Sequence, residues 1–173
     1  MKTLLFLFII AFSQQINAQQ DEQLSLYMYN KLAFNPAYAG SRKALSAIAI
    51  GRFQWVNFDG APNTQWFSIQ APILQGGMGV GAHIVNDRVG NRTRTSVFGD
   101  LSASIAVNKK TSRLAVGLSG GFDMIGYDFT SVLVNNQNDP YFGTTFNETK
   151  PNVGAGIYYY SDKHFFGISS PRL

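Results

Sequence analysis

Leu114-Ala115-Val116-Gly117-Leu118-Ser119-Gly120-Gly121-Phe122-Asp123-Met124 is the stretch whose reading decides the fold. Leu114, Val116, Leu118, Phe122 and Met124 fall on one parity; Arg113, Ala115, Gly117, Ser119, Gly121 and Asp123 fall on the other. Side chains alternate sides of a strand with period two, so this spells a strand with one apolar surface and one small or polar surface. About seven segments of this kind follow one another along the chain. The spacing predicts strands over residues 44–55, 63–71, 77–87, 94–107, 113–125 and 152–160, and one that begins at His164. In the first, Leu45, Ala47, Ala49, Phe53 and Trp55 oppose Ser46, Arg52 and Gln54; in the fourth, Val97, Leu101, Ala103, Ile105 and Val107 oppose Arg94, Ser96, Asp100, Ser102 and Ser104. These spans are longer than the roughly 5–6 residues of an ordinary globular strand and match the about 9–11 of a tilted membrane strand.

The N-terminus narrows the choice between a soluble and a membrane barrel. Met1-Lys2 is a short basic start, Leu4 to Phe12 an apolar run, and Ile16-Asn17-Ala18 ends in a small residue, so residues 1–18 read as a cleaved signal peptide. The apolar run falls short of the roughly 20 residues a membrane helix needs. Residues 19–43 then read as a periplasmic N-terminal lead-in and 44–173 as an outer-membrane β-barrel domain. The chain has no cysteine, which excludes a disulfide framework and a lipid anchor at Cys. Charged residues make up 14%, against a typical quarter or so, and no stretch past Phe12 is apolar enough for a membrane helix. Alternation dilutes the apolar face of a membrane barrel into an ordinary mean hydropathy, so low charge without a hydrophobic helix fits one. A net charge of +4 from scattered basic residues gives no support to a nucleic-acid partner.

The links carry a second signal. Those after strands two, four and six read as tight, at residues 72–76, 108–112 and 161–163. Those after strands one, three and five read as longer, at 56–62, 88–93 and 126–151. Outer-membrane barrels alternate short periplasmic turns with longer outer loops, which places the lead-in on the periplasmic side. Trp55, Trp66 and Tyr158-Tyr159-Tyr160 lie near strand ends, where they suit interface girdles. In a soluble exported barrel or sandwich the same aromatics are core.

Sites of chemistry are sparse. Gly77-Met78-Gly79-Val80-Gly81 lacks the strand-before, helix-after setting of a dinucleotide loop, and its glycines line one strand face. His83 and Asp87 share a face of strand three but stand roughly 13 Å apart along it, too far for a direct dyad. Two isolated histidines, His83 and His164, without cysteine do not make a zinc site. Asp123, Asp128 and Asp139 flank the longest link without a spaced calcium-binding loop, and read as solvated charges. No Gly-x-Ser-x-Gly elbow marks a lipase, and no catalytic, cofactor or metal residue is assigned. Arg52, Gln54, Arg94, Asp100, Arg113 and Asp123 read as a wetted interior or as contacts to a partner or plug. Arg88, Arg92 and Arg94 cluster by an outer loop, either as ordinary loop charges or as partners for lipid phosphates.

The lead-in Gln20-Asp21-Glu22-Gln23, Ser25, Tyr27-Met28-Tyr29-Asn30 and Asn35-Pro36-Ala37-Tyr38-Ala39-Gly40-Ser41 resembles the start of the PorP/SprF family, type IX secretion system membrane proteins of Bacteroidetes. The resemblance continues through Arg52-Phe53-Gln54-Trp55, Phe58-Asp59-Gly60-Ala61-Pro62, Thr64-Gln65, Asn86-Asp87 with Gly90, and Asp139-Pro140. It closes with Pro151-Asn152-Val153-Gly154, Tyr158-Tyr159-Tyr160 and Gly167-Ile168-Ser169-Ser170-Pro171-Arg172-Leu173, and so covers essentially the whole mature chain. It implies a non-enzymatic outer-membrane accessory without cofactor that assists secretion or surface anchoring of type IX cargo, such as gliding adhesins. Its implied partners are outer-membrane lipids, other type IX components including periplasmic ones, and the cargo protein. A general porin or small-solute channel is the alternative. The motif positions mark membership rather than established sites.

The departures from the family pattern are Glu22 in place of the usual proline, Leu24 in place of phenylalanine, and length. Members run roughly twice as long, and about seven strands cannot close where single-chain bacterial barrels have an even count of 8 or more. The expectation is therefore a truncated chain, or half of a structure completed by another chain: an open, curved antiparallel sheet, an incomplete up-and-down transmembrane β-barrel.

Overall fold

The computed structural model describes residues 26–74, 77–107, 112–130 and 145–172. The predicted signal peptide and the Asp139-Pro140 pair lie outside them. Seven strands form one antiparallel sheet in chain order: β1 (Ser46–Phe53), β2 (Asn63–Leu74), β3 (Met78–Val89), β4 (Arg92–Ala106), β5 (Arg113–Asp128), β6 (Thr145–Tyr160) and β7 (Phe165–Ser170). Each strand pairs only with its sequence neighbours, and β1 and β7 each pair on one side, so the sheet is an open half-barrel as expected.

The two parities separate as the sequence predicts, and it is the apolar one that is exposed. Along β3 and β4 exposed and buried positions alternate. On the convex side Leu118 and Ile105 are each 67% exposed and Leu101 57%. On the concave side Ser96, Asp100 and Asp123 are 1–3% exposed. A soluble core has the reverse arrangement, and a continuous apolar outer surface of this kind is what a bilayer covers.

Several boundaries differ from expectation, three of them instructively. β6 starts at Thr145 rather than near residue 152, because Pro151 does not break it. Up to Gly154 this strand pairs with β5 alone, Pro151 standing opposite Phe122, while β7 joins only from Ala155. A missing N–H is tolerated on an edge. β2 likewise continues past Pro72 to Leu74, with a register shift between the two. The link after β3, expected to be long, is the two-residue turn Gly90-Asn91, with Val89 paired to Arg92. Gly90 at φ 56° supplies the positive φ that a tight hairpin turn needs at its first central position. The expected long link is present at 54–62 and absent here, and most of the link after β5 lies outside the described residues.

The core lies between the concave face and the chain that precedes β1. Residues 30–41 form two 3₁₀ turns, Lys31–Ala33 and Pro36–Tyr38, seated against β3, β4, β5 and β6. Leu32, Ala37, Tyr38 and Ala39 pack with Ala115 and Tyr158 in one apolar cluster, and Trp66 and Val85 pack with Phe34 and Ile50 in another. Trp66 and Tyr158 are thus not girdle residues. Trp66 shares the parity of Thr64 and Ser68, and the Tyr158 ring meets Tyr38 edge-on at 5.4 Å. Trp55 remains exposed at the end of β1.

Candidate functional site

Asn35 fixes the lead-in. Its Oδ1 accepts a hydrogen bond from the Ala37 N–H (2.9 Å), capping the second 3₁₀ turn, and Pro36 at the first position needs no such partner. Its Nδ2 donates to the Ile157 carbonyl of β6 (3.0 Å), so one side chain ties the turn to the sheet. Around it, Ser169 Oγ donates to the Phe34 carbonyl (2.7 Å), Ser102 Oγ to the Ala39 carbonyl (2.6 Å), and Ser68 Oγ to Asn30 Oδ1 (2.8 Å). Gln70 Oε1 accepts from the Gly40 N–H (3.0 Å). The inward hydroxyls of the strands thus satisfy the carbonyls of a segment too short to satisfy its own.

Inward glycines make the room. A Cβ at Gly117 would stand 2.2 Å from the Ala37 nitrogen, and one at Gly156 would stand 2.2 Å from Asn35 Oδ1. Gly79, in the run mistakable for a nucleotide loop, leaves space for the Ala39 carbonyl, so its glycine serves close approach of backbone to backbone.

Beyond the lead-in, the concave face carries a charged network with Asp123 at its centre. Arg94 donates to Asp123 Oδ1 from Nε (3.3 Å) and from a terminal nitrogen (3.1 Å), Ser96 Oγ donates to the same oxygen, and Asn152 Nδ2 donates to Oδ2 (3.2 Å). Arg172 approaches Oδ2 at 3.5 Å and lies 5.9 Å from the Phe98 ring centre. Asp123 is therefore not a solvated loop charge, and Arg94 does not cluster with Arg88 and Arg92 for lipid: parity turns it inward to a carboxylate. Removing one member would strand a buried charge, which costs far more than the intact pair contributes. His83 finds its partner across the sheet, with Nδ1 2.8 Å from Asp100 Oδ2 and its ring stacked on Phe98 at 5.2 Å. Asp87, the carboxylate on its own strand, instead accepts from Thr64 Oγ1 (2.6 Å).

The motif positions fall into four places rather than one centre. Asn35, Pro36, Ala37 and Gly40 belong to the seated lead-in. Arg52, Asp87 and Asn152 point to the concave side, Asn86 lies on the outward parity of β3 and donates to Thr95 Oγ1 (2.8 Å), and Gly154 makes room for Pro171 and Ser119. Pro151 lies on the exposed parity of β6. Gln54, Trp55, Gly60, Ala61, Pro62 and Gly90 gather at the end of the β1–β2 hairpin, where the Gln54 N–H donates to the Pro62 carbonyl (3.0 Å), the Ala61 N–H to the Phe58 carbonyl (3.2 Å) and the Gly90 N–H to the Gly60 carbonyl (2.9 Å). Asn30, Ser68, Gln70, Gly117, Gly156 and Arg172 are structural partners that the sequence reading missed. For Ser68, Gln70, Gly117 and Gly156 the inward parity was legible; their partner, arriving from outside the sheet, was not.

Among the described residues no group of His, Asp or Glu gathers in metal-binding geometry. Asp128 lies at the end of β5, where it accepts from the Thr130 N–H and hydroxyl, and Asp139 lies outside the described residues.

A search of curated proteins and a search of solved structures return no match. A family model described as type IX secretion system membrane protein PorP/SprF matches residues 16–173. That span includes the seated lead-in and all seven strands, and it shows that the chain belongs to the PorP/SprF family of type IX secretion system membrane proteins.

Proposed function

We propose that this protein is an outer-membrane component that assists the secretion or surface anchoring of type IX cargo, gliding adhesins among them, and that it is not a diffusion pore. The observation that carries this reading is the occupied concave face: residues 30–41 and the Arg94–Asp123–Arg172 network fill the side that a porin leaves to water. Outer-membrane placement is supported by the exposed apolar parity and by the predicted signal at residues 1–18. On this reading the lead-in enters from the periplasm, and periplasmic components of the machine meet that end.

A deletion strain tests the proposal. Loss of cargo from the cell surface with unchanged uptake of small solutes is the expected result. Unchanged surface cargo with impaired uptake would establish the porin reading instead. Outer-membrane placement is checked by recovery of the protein in carbonate-washed outer-membrane fractions.

A further inference from the structure

We infer that the end of the half-barrel where the lead-in meets β1 holds a basic recess that takes carboxylates of an acidic polypeptide segment. The recess encloses about 290 Å³ and is lined by Lys43, Arg113, Ser104 and Tyr160, with Gly40 and Gly79 forming backbone wall. Among the described residues no carboxylate lines it. Arg113 donates from Nε to Ser104 Oγ (3.2 Å) and from a terminal nitrogen to the Ser104 carbonyl (3.2 Å), which fixes the guanidinium in place without neutralising it. Deeper in the concave face the pattern differs: Arg94 and Arg172 both have Asp123. A fixed guanidinium without its own acid offers planar, charge-assisted donors to a carboxylate.

Lys43 supplies a second and independent observation. It adopts φ 57°, a left-handed conformation that costs a residue with a side chain free energy and that persists at sites where geometry matters. The strain is held locally, by the Lys43 N–H donating to the Gly40 carbonyl (3.1 Å), and it places the lysine on the rim of the same recess. Nearby Arg42 is taken up by Tyr38 Oη (3.2 Å) and Ser46 Oγ (3.3 Å), so the rim is basic without internal compensation. The recess lies between the lead-in and the inward Ser102 and Ser104 of β4, with the exposed Ile73 and Met78 also among its lining. The planar guanidinium that Ser104 holds in place matches a polypeptide carboxylate, and the vesicle competition below separates that occupant from a phospholipid. This deepens the function proposed above: that the acidic partner is periplasmic rests on that reading, while the binding itself does not.

The test uses the full chain purified in neutral detergent and a fluorescein-labelled hexaglutamate peptide, read by fluorescence polarisation at low and at high salt. Binding that weakens at least tenfold in the Lys43→Gln/Arg113→Gln double variant, and on raising salt, is the expected result. The Arg88→Gln variant, at the other end of the sheet, should bind as the parent does. Lys43→Gly removes the charge while relieving the strained backbone, so it should weaken binding with the fold intact, as judged by unchanged heat-modifiable gel mobility. Equal binding by the parent and the double variant overturns the inference, as does equal loss in Arg88→Gln. Displacement of the peptide by phosphatidylglycerol vesicles, but not by excess unlabelled hexaglutamate, overturns it in favour of lipid. Peptide binding without a secretion defect in the deletion strain would leave the recess standing and remove the proposed role.

Discussion

At Asn35 one side chain serves two elements, capping the turn that starts at Pro36 and reaching Ile157 in β6. Replacing it by alanine removes the cap and leaves the Ile157 carbonyl without that donor. Each loss is worth about 1 kcal/mol, so Asn35→Ala is expected to destabilise by roughly 2 kcal/mol. The check is the urea midpoint of the detergent-folded protein, with unchanged slope. Asn35→Asp keeps the acceptor for Ala37 and loses the donor to Ile157, so it should retain only part of the stability. A midpoint unmoved by either variant would show that the lead-in is not held through this residue. Asn35 was legible in the sequence as a member of a turn-rich motif beside a proline. Its partner was not, because Ile157 lies 122 residues away and only the register of β6 sets it opposite. The same limit hid the His83–Asp100 contact: parity put both residues inward, but pairing across strands depends on a stagger that no single strand encodes.

β5 states both faces of the sheet in adjacent residues. Gly117 faces the lead-in, and a valine there would drive its side chain into the Ala37 backbone. Gly117→Val is therefore expected to unseat residues 30–41 and open the Lys31 bond to trypsin. Gly120→Ala, where nothing lies within 4 Å, should leave cleavage as in the parent. Comparable cleavage of both variants would mean that the glycine parity is not a seat. Leu118, one residue on, is 67% exposed on the convex side. In water an exposed leucine tolerates arginine, but near a bilayer midplane the same change costs about 2–4 kcal/mol. Leu118→Arg should accordingly lower stability measured in lipid vesicles by about that amount. An unchanged unfolding midpoint there would contradict a lipid-facing convex surface. The strands themselves were legible because period-two alternation is written in every one of them. Their ends were not: Pro72 and Pro151 read as breakers, and only the absence of a second neighbour at an edge, or a register shift, explains why they sit inside β2 and β6.

For the molecule as a whole, the question is whether the lead-in is a movable gate or part of the core. A gate would be held by a few contacts that open without disturbing the sheet; here the contacts are spread over β2, β4, β6 and β7, and Leu32 and Ala37 are 1% and 0% exposed. Packing distributed in this way couples the segment to the strands that cover it, so local opening should cost nearly as much as losing the sheet. Native-state hydrogen exchange makes this measurable. The Tyr38 and Ala39 amides, bonded to the Asn35 and Pro36 carbonyls, are expected to exchange only with the slowest amides of β4 and β5. Amides on the unpaired sides of β1 and β7 should exchange fastest, since no neighbouring strand protects them. If Tyr38 and Ala39 instead exchange with those edges, at a free energy far below that of β4 and β5, the segment opens independently. The concave face would then be a gated passage, and the case against a diffusion pore would lose its main support.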